Sequence, residues 1–198
     1  DGYRHLYLNS LDGKSSAQVT KGNFEITNIE AVDETNKRIF YTMAYPTPMD
    51  RNLFVTDFNG KKATQLTKGK GTHRVQLNDD YTKFYDFYSD LNTPQIVTVH
   101  DIVVDKKKNF SANLVKTVNE SAKLKEKLTE YGYGKAEFMR VPNSKGDTLN
   151  GWMLKPANFD ATKINETKQD VVDAEKPNET MIESENEASE NKMDDLSN

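Results

Sequence analysis

Apolar and polar residues alternate along most of this chain in short runs, and Gly, Asn and Asp punctuate the runs. A period of two bounded by turn residues predicts half-buried β-strands. Leu6/Leu8 and Leu53/Val55 open two such runs, which then turn at Asp12-Gly13 and Asn59-Gly60. Asp-Gly and Asn-Gly favour the positive-φ turns that close tight hairpins. Residues 6–22 (LYLNSLDGKSSAQVTKG) and 53–69 (LFVTDFNGKKATQLTKG) align without a gap at an offset of 47. A second echo links residues 32–41 with 77–86: a strand end, a polar turn and a new aromatic-rich strand. Strands are predicted near 24–32, 38–45, 52–58 and 62–67, then near 73–78, 83–89, 95–102 and 109–117, with residues 3–22 supplying the last two strands of a preceding unit. Four short antiparallel strands per repeat is the size of a propeller blade. The expected fold class is all-β: a partial β-propeller of about two and a half four-stranded antiparallel blades. A sandwich does not require the gapless echo, and helical solenoids need a 3.6-residue period that these units lack.

The pattern changes after Val118. Residues 119–131 suit one short helix, with Leu124, Leu128 and Tyr131 on one face, Asn119 as its N-cap, and Gly132 and Gly134 to stop it. Two strands are predicted next, 136–141 and 148–155, around the turn Asn143-Ser144-Lys145-Gly146. From about Ala161 the hydrophobic content collapses, and a disordered acidic tail is expected because such a segment cannot offset its ordering entropy. The expected organisation is therefore blades over 1–118, a helix and strands over 119–160, and the tail over 161–198. Two and a half blades do not close and would leave edges and apolar faces uncovered. The stretch is thus expected to sit within a longer chain, broken in mid-domain at Asp1.

Composition narrows the chemistry. The chain contains no Cys, which excludes disulfides, zinc ribbons and a thiol nucleophile. It has no apolar run long enough to span a membrane. The net charge of −4 is uneven: residues 163–198 carry four Lys against eleven Asp and Glu, a net −7 that leaves residues 1–162 at +3. That is not the dense basic face of a nucleic-acid binder, so no nucleic-acid partner is expected. A serine hydrolase needs Gly-x-Ser-x-Gly, and no serine stands in that context. His5, His73 and His100 lie in strand-like segments and read as locally hydrogen-bonded residues. Asp79-Asp80 reads as a hairpin turn rather than a metal site, and Lys106-Lys107-Lys108 as a solvated turn. Phe84, Tyr85, Phe87 and Tyr88 read as blade packing, and Trp152 as core. No catalytic, substrate-binding or metal-binding residue is assigned, and no cofactor is expected.

Several stretches resemble one family. Asp1–Leu8 is similar to a propeller strand of the dipeptidyl peptidase IV family, and Val19–Ile26 to the next strand and blade junction. Arg51-Asn52-Leu53-Phe54 resembles its R-[HN]-L-[YF] strand start. Gly71-Thr72-His73 and Tyr85–Pro94 resemble the bacterial branch. Leu149–Asp160 resembles the approach to the family's α/β-hydrolase domain. The resemblance is colinear over residues 1–160 and stops near Ile164. It implies the C-terminal part of an N-terminal propeller from a prolyl oligopeptidase-type serine peptidase. Intact members release N-terminal dipeptides, usually after Pro or Ala. Their propeller restricts access to the active site, and a pair of Glu residues holds the substrate's amino terminus. Peptide substrates, a homodimeric intact protein and a periplasmic or extracellular location follow from the resemblance. The double-Glu clamp lies upstream of this window, and Glu120, Glu126 and Glu130 do not match it. The chain itself is expected to be inactive. A non-enzymatic propeller-type protein-binding module and an inactive truncated product remain the alternatives.

Overall fold

Four hairpins begin on an Asp or Asn whose side chain ties off its own turn. Asp33 Oδ1 accepts the Asn36 N–H at 2.9 Å, and Asn78 Oδ1 accepts the Thr82 and Lys83 N–H groups at 3.0 and 2.9 Å. Asp105 Oδ1 accepts from Lys107 and Asn109 at 2.7 and 2.8 Å, and Asn143 Oδ1 from Lys145 and Asp147 at 2.9 and 2.8 Å. These local bonds compete with strand continuation and reverse the chain. Each turn also contains a positive φ: Lys37 (54°), Tyr81 (57°), Lys108 (61°) and Gly146 (86°).

A computed structural model describes residues 2–156, 158–160 and 162. The first strands, β1 (Tyr7–Asn9) and β2 (Ser16–Gln18), form a two-stranded sheet. β3 (Ile26–Asp33), β4 (Arg38–Met43), β5 (Asn52–Asp57) and β6 (Thr64–Gln65) form a four-stranded antiparallel sheet in sequence order. β7 (Thr72–Leu77), β8 (Lys83–Ser89), β9 (Ile96–Val104) and β10 (Phe110–Asn119) form another, so that β1–β2, β3–β6 and β7–β10 are the first, second and third sheets, or blades, in chain order. One helix, α1 (Ala122–Glu130), and a hairpin of β11 (Ala136–Pro142) and β12 (Thr148–Leu154) follow. The expected half blade, two full blades and single helix are all present. The chain divides into two units, residues 1–155 and 156–198. In the second, Phe159 N–H donates to Pro156 O at 2.9 Å. Apart from Thr162, the expected disordered tail lies outside the described residues.

The 47-residue echo has a physical cause: the outer hairpin of a unit and its backbone bond to the next unit are built the same way twice. Ile26 N–H donates to Arg4 O at 3.0 Å, and His73 N–H to Arg51 O at 2.9 Å. Val19 N–H donates to Leu6 O, and Leu66 N–H to Leu53 O, both at 2.8 Å. Thr20 Oγ1 accepts the Leu6 N–H, and Thr67 Oγ1 the Leu53 N–H, both at 2.9 Å. The freed hydroxyl hydrogens also have matching destinations. Thr67 donates to Asn52 Oδ1 at 2.8 Å, and Thr20 lies 3.2 Å from His5 Nδ1. The threonine of each Gln-x-Thr-Lys-Gly thus satisfies a buried amide where ladder pairing runs out, as a buried donor requires.

Two apolar clusters fill the joints. Leu6, Val19, Ile26, Ile39, Tyr41, Met43 and Phe54 pack on one face of the second sheet, and Phe40, Leu53, Val55 and Leu66 meet Val75, Phe84 and Ile102 on the other. β4 and β5 are therefore buried on both faces, which is why their apolar residues run on without clean alternation. In β8 the alternation survives and corrects the expectation for Tyr85: Phe84 packs in the joint, whereas Tyr85 points from the opposite face and is exposed rather than blade packing, as strand geometry demands.

Two further expectations are corrected. Asn119 is not the N-cap of α1. Ser121 holds that position with φ 52°, and Asn119 Oδ1, two residues earlier, accepts the Ser121 N–H at 2.8 Å. Trp152 is not core: it is 61% exposed, opposite Phe138 on a hairpin whose strands leave most large side chains uncovered. Gly132 does stop the helix, at φ 63°, with Tyr133 N–H donating to Leu128 O at 3.0 Å.

Asp33 gives the fold a pH dependence. Burial opposes its ionisation, but the Asn36 N–H, the Asn36 amide at 2.8 Å and Arg38 Nε at 2.5 Å outweigh it and hold the carboxyl below the usual range. A folded-state value below the unfolded one means that the unfolded chain binds more protons. The stabilisation is therefore complete above the ordinary carboxylate value and lost as pH falls through the folded one. Asp33→Asn should flatten this part of the acid limb in a urea-midpoint titration between pH 6 and 3.

Candidate functional site: a polar seam between two blades

Strand alternation brings His73, Val75 and Leu77 of β7 and Phe84, Asp86 and Tyr88 of β8 onto the face turned to the second blade. There His73 Nδ1 lies 2.8 Å from Asp86 Oδ2, and both side chains are buried. The Tyr88 ring covers the imidazole at 4.8 Å between centroids. Tyr88 Oη donates to Asp90 Oδ2 at 2.8 Å; burial, reinforced by Asp90, pushes the phenol up to about 12. His100 stacks on Phe84 at 4.9 Å, with Nε2 2.8 Å from Thr98 Oγ1. Burial pulls the His100 pKa below the ordinary value, against the field of Asp86. Across the joint, Asp50 accepts Gly71 N–H at 2.7 Å and Thr47 Oγ1–H at 2.6 Å. A cleft of about 260 Å³ opens here, lined by Leu66 and Lys68 of the second blade and by His73, Asp86, Tyr88 and His100 of the third.

The histidines singled out in the sequence thus separate into two places. His5 belongs to the first joint, edge-on to Phe24 at 5.3 Å, whereas His73 and His100 share the second. A His–Asp pair resembles two-thirds of a hydrolytic triad. Among the described residues, however, no hydroxyl bonds His73 Nε2, and Asp86 Oδ1 also lacks a partner. The geometry supports clamping rather than proton transfer to a nucleophile. Asp86→Ala, which strands a buried imidazole N–H, should cost about 2 kcal/mol. The double replacement His73→Phe/Asp86→Leu should recover most of that in thermal melts.

Asp80 is spent on its turn, with Oδ1 accepting from Thr82 N at 3.0 Å and Asn78 Nδ2 at 2.6 Å. Among the described residues no group of three His, Asp or Glu could hold a metal ion, and no helix is long and apolar enough to cross a membrane. Glu130 pairs with Lys127 at 2.8 Å on the exposed helix. The Lys106–Lys108 run sits at the tip of the β9–β10 hairpin, as expected of a turn. The His73–Asp86 pairing was not anticipated. Its signal was available: a β7–β8 hairpin centred on residues 79–81 places 73 and 86 diagonally on one face.

Comparison with known proteins agrees with this architecture. Residues 1–95 match the family model described as the dipeptidyl peptidase IV (DPP IV) N-terminal region. Dipeptidyl peptidase 4 of Arthroderma otae is 29% identical over 164 residues, covering 82% of this chain and 20% of that protein. Its counterpart in Trichophyton rubrum is 26% identical over 166 residues with the same coverage, 82% and 20%. The crystal structure of Porphyromonas gingivalis dipeptidyl peptidase 4 superposes with a TM-score of 0.70 at 29% identity, covering 81% of this chain and 22% of that one. The chain therefore spans about one fifth of the length of these relatives. Blade architecture, repeated joints and colinear similarity converge: the chain is similar to the N-terminal β-propeller region of the dipeptidyl peptidase IV family, by the family model over residues 1–95 and by its relatives over about four-fifths of its length.

Proposed function

We propose that these blades form part of the propeller that stands over the active site of a serine-type dipeptidyl peptidase and restricts which peptides reach it. In this reading residues 1–118 are blades, residues 119–160 lead towards an α/β-hydrolase domain, and the whole protein releases N-terminal dipeptides after Pro or Ala. Peptide substrates and homodimerisation belong to that whole protein. One observation carries the reading: two consecutive four-stranded blades that superpose on a dipeptidyl peptidase 4 at a TM-score of 0.70. The 198 residues contain no Gly-x-Ser-x-Gly, so the nucleophile must come from outside them. Assayed with a Gly-Pro chromogenic substrate, the 198-residue chain should give no turnover. A longer product of the same gene should give turnover that a serine-directed inhibitor abolishes. A longer product with no such activity would favour a binding module or an inactive product instead. Inhibitor-sensitive turnover by the 198-residue chain itself would contradict the assignment of chemistry elsewhere.

A further inference from the structure

The turns at one end of the two full blades meet in a second, larger cleft of about 600 Å³. Residues 33–38 and 57–62 of the second blade form one side, and residues 104–110 of the third form the other. Arg38 lies in its floor, its side chain only 12% exposed. Asp33 holds its Nε at 2.5 Å, and the rings of Phe40 and Phe110 flank the guanidinium at 5.5 and 5.8 Å. Its two terminal nitrogens make no hydrogen bond among the described residues, although this planar fork is the group best matched to a carboxylate. Lys62, Lys107 and Lys108 line the same cleft. Lys62 Nζ reaches across the blade boundary to Lys107 O at 3.5 Å and Asn109 Oδ1 at 3.4 Å, contacts too long to satisfy an ammonium. Two neighbouring carboxylates bond backbone N–H groups and keep their charge: Asp105, which lies in the field of Lys62, takes the Lys107 and Asn109 N–H groups, and Asp57, which also lines the cleft, takes Lys61 N–H at 3.1 Å. With Asp33 they make three acids against the five cations Lys37, Arg38, Lys62, Lys107 and Lys108, so the cleft stays positive.

We infer that this cleft is a docking site for an acidic peptide segment, with Arg38 as the fixed carboxylate-binding group and Lys62, Lys107 and Lys108 as the rim. A rigid, partly buried guanidinium with unused donors loses little entropy on binding, whereas flexible surface lysines supply attraction and on-rate. A peptide fits better than a nucleic acid. Val104 and Phe110 give the cleft an apolar wall, and Asn36 and Asn59 add amides able to bond a peptide backbone. Residues 1–162 carry only +3, too little for a phosphate track.

The test uses the 198-residue chain and a fluorescein-labelled Glu/Ser peptide, followed by fluorescence anisotropy at low and at physiological salt. Saturable binding is expected, weakening with salt. Lys62→Gln/Lys107→Gln should bind about tenfold more weakly, as expected for lost charge-assisted bonds, with an unchanged thermal melt. Lys116→Gln, on β10 outside the cleft, should bind as the parent does. Arg38→Lys keeps the charge but loses the fork and should also lose about tenfold; its melt is recorded alongside. The proposal is overturned by absence of saturable binding, by unchanged affinity in the Lys62/Lys107 variant, or by equal loss in Lys116→Gln. It is also overturned if a single-stranded oligonucleotide of matched charge competes as well as unlabelled peptide, which would make the cleft a general polyanion patch.

Discussion

Phe40→Ala should lower the stability of the folded chain by about 3–5 kcal/mol, the range for truncating a buried aromatic residue. Phe40 is fully buried, and it sits where the second blade meets the third, beside Leu53, Val55, Val75 and Phe84. Four strands would lose contacts at once: β4, which carries it, β5 beside it, and the facing strands β7 and β8. The Tyr81 ring stacks on Phe40 at 5.8 Å and the Arg38 guanidinium lies 5.5 Å from its centre, so the cavity would also loosen the β7–β8 turn and the Arg38 site. The cavity is fixed between two sheets held in register by backbone bonds, so little collapse is available to reduce the cost. Urea denaturation followed by far-UV circular dichroism measures the effect, and a loss below about 1 kcal/mol would mean that the two blades do not share this core.

Gly60→Ala should be almost as damaging, and its repeat mate Gly13 provides the control. The two glycines are 47 residues apart and have nearly the same backbone conformation, φ 68° and 70°. A Cβ on Gly13 would meet nothing within 4 Å, whereas one on Gly60 would lie 1.8 Å from the Val19 carbonyl oxygen. Gly13→Ala should therefore cost only the left-handed strain of about 1–2 kcal/mol. Gly60→Ala carries the same strain and must also displace the backbone of Val19, whose own N–H is bonded to Leu6 O at 2.8 Å. The first joint would have to open. A denaturation midpoint for Gly60→Ala equal to that of Gly13→Ala would show that the two sheets are not in contact there.

Much of this architecture was legible in the sequence because strands of a blade obey local rules. Asp and Asn at strand ends, glycines at the tips and alternating apolar residues located the strands of both full blades to within a few residues. Where the reading missed, a non-local interaction decided the outcome. β6 is only Thr64–Gln65, shorter than the expected 62–67, and Lys62 reaches towards the third blade instead of continuing the strand. Asn119 has the right chemistry for a cap. Ser121 takes the position because its Oγ donates to Gln95 O at 2.5 Å, a partner 26 residues away. Trp152 has the character of a core residue, yet with only its hairpin partner Phe138 opposite it stays mostly exposed. The two candidate clefts were hidden for the same reason. Lys106–Lys108 alone is a polar turn, and only the stacking of blades brings Lys62 and the fork of Arg38 beside it. His73 and Asp86 look unrelated until the hairpin register makes them diagonal neighbours.

The joint is the feature with the widest consequence. Its parts, residues 4–26 and again 51–73, recur at the same spacing as the blades themselves. A segment of one period, wherever it is cut, carries one complete set of the groups that fasten a unit to its neighbour. Such a segment can be copied or deleted in a gene without a new interface having to evolve at the scar. A copied unit would carry the backbone and threonine bonds seen at both of these positions.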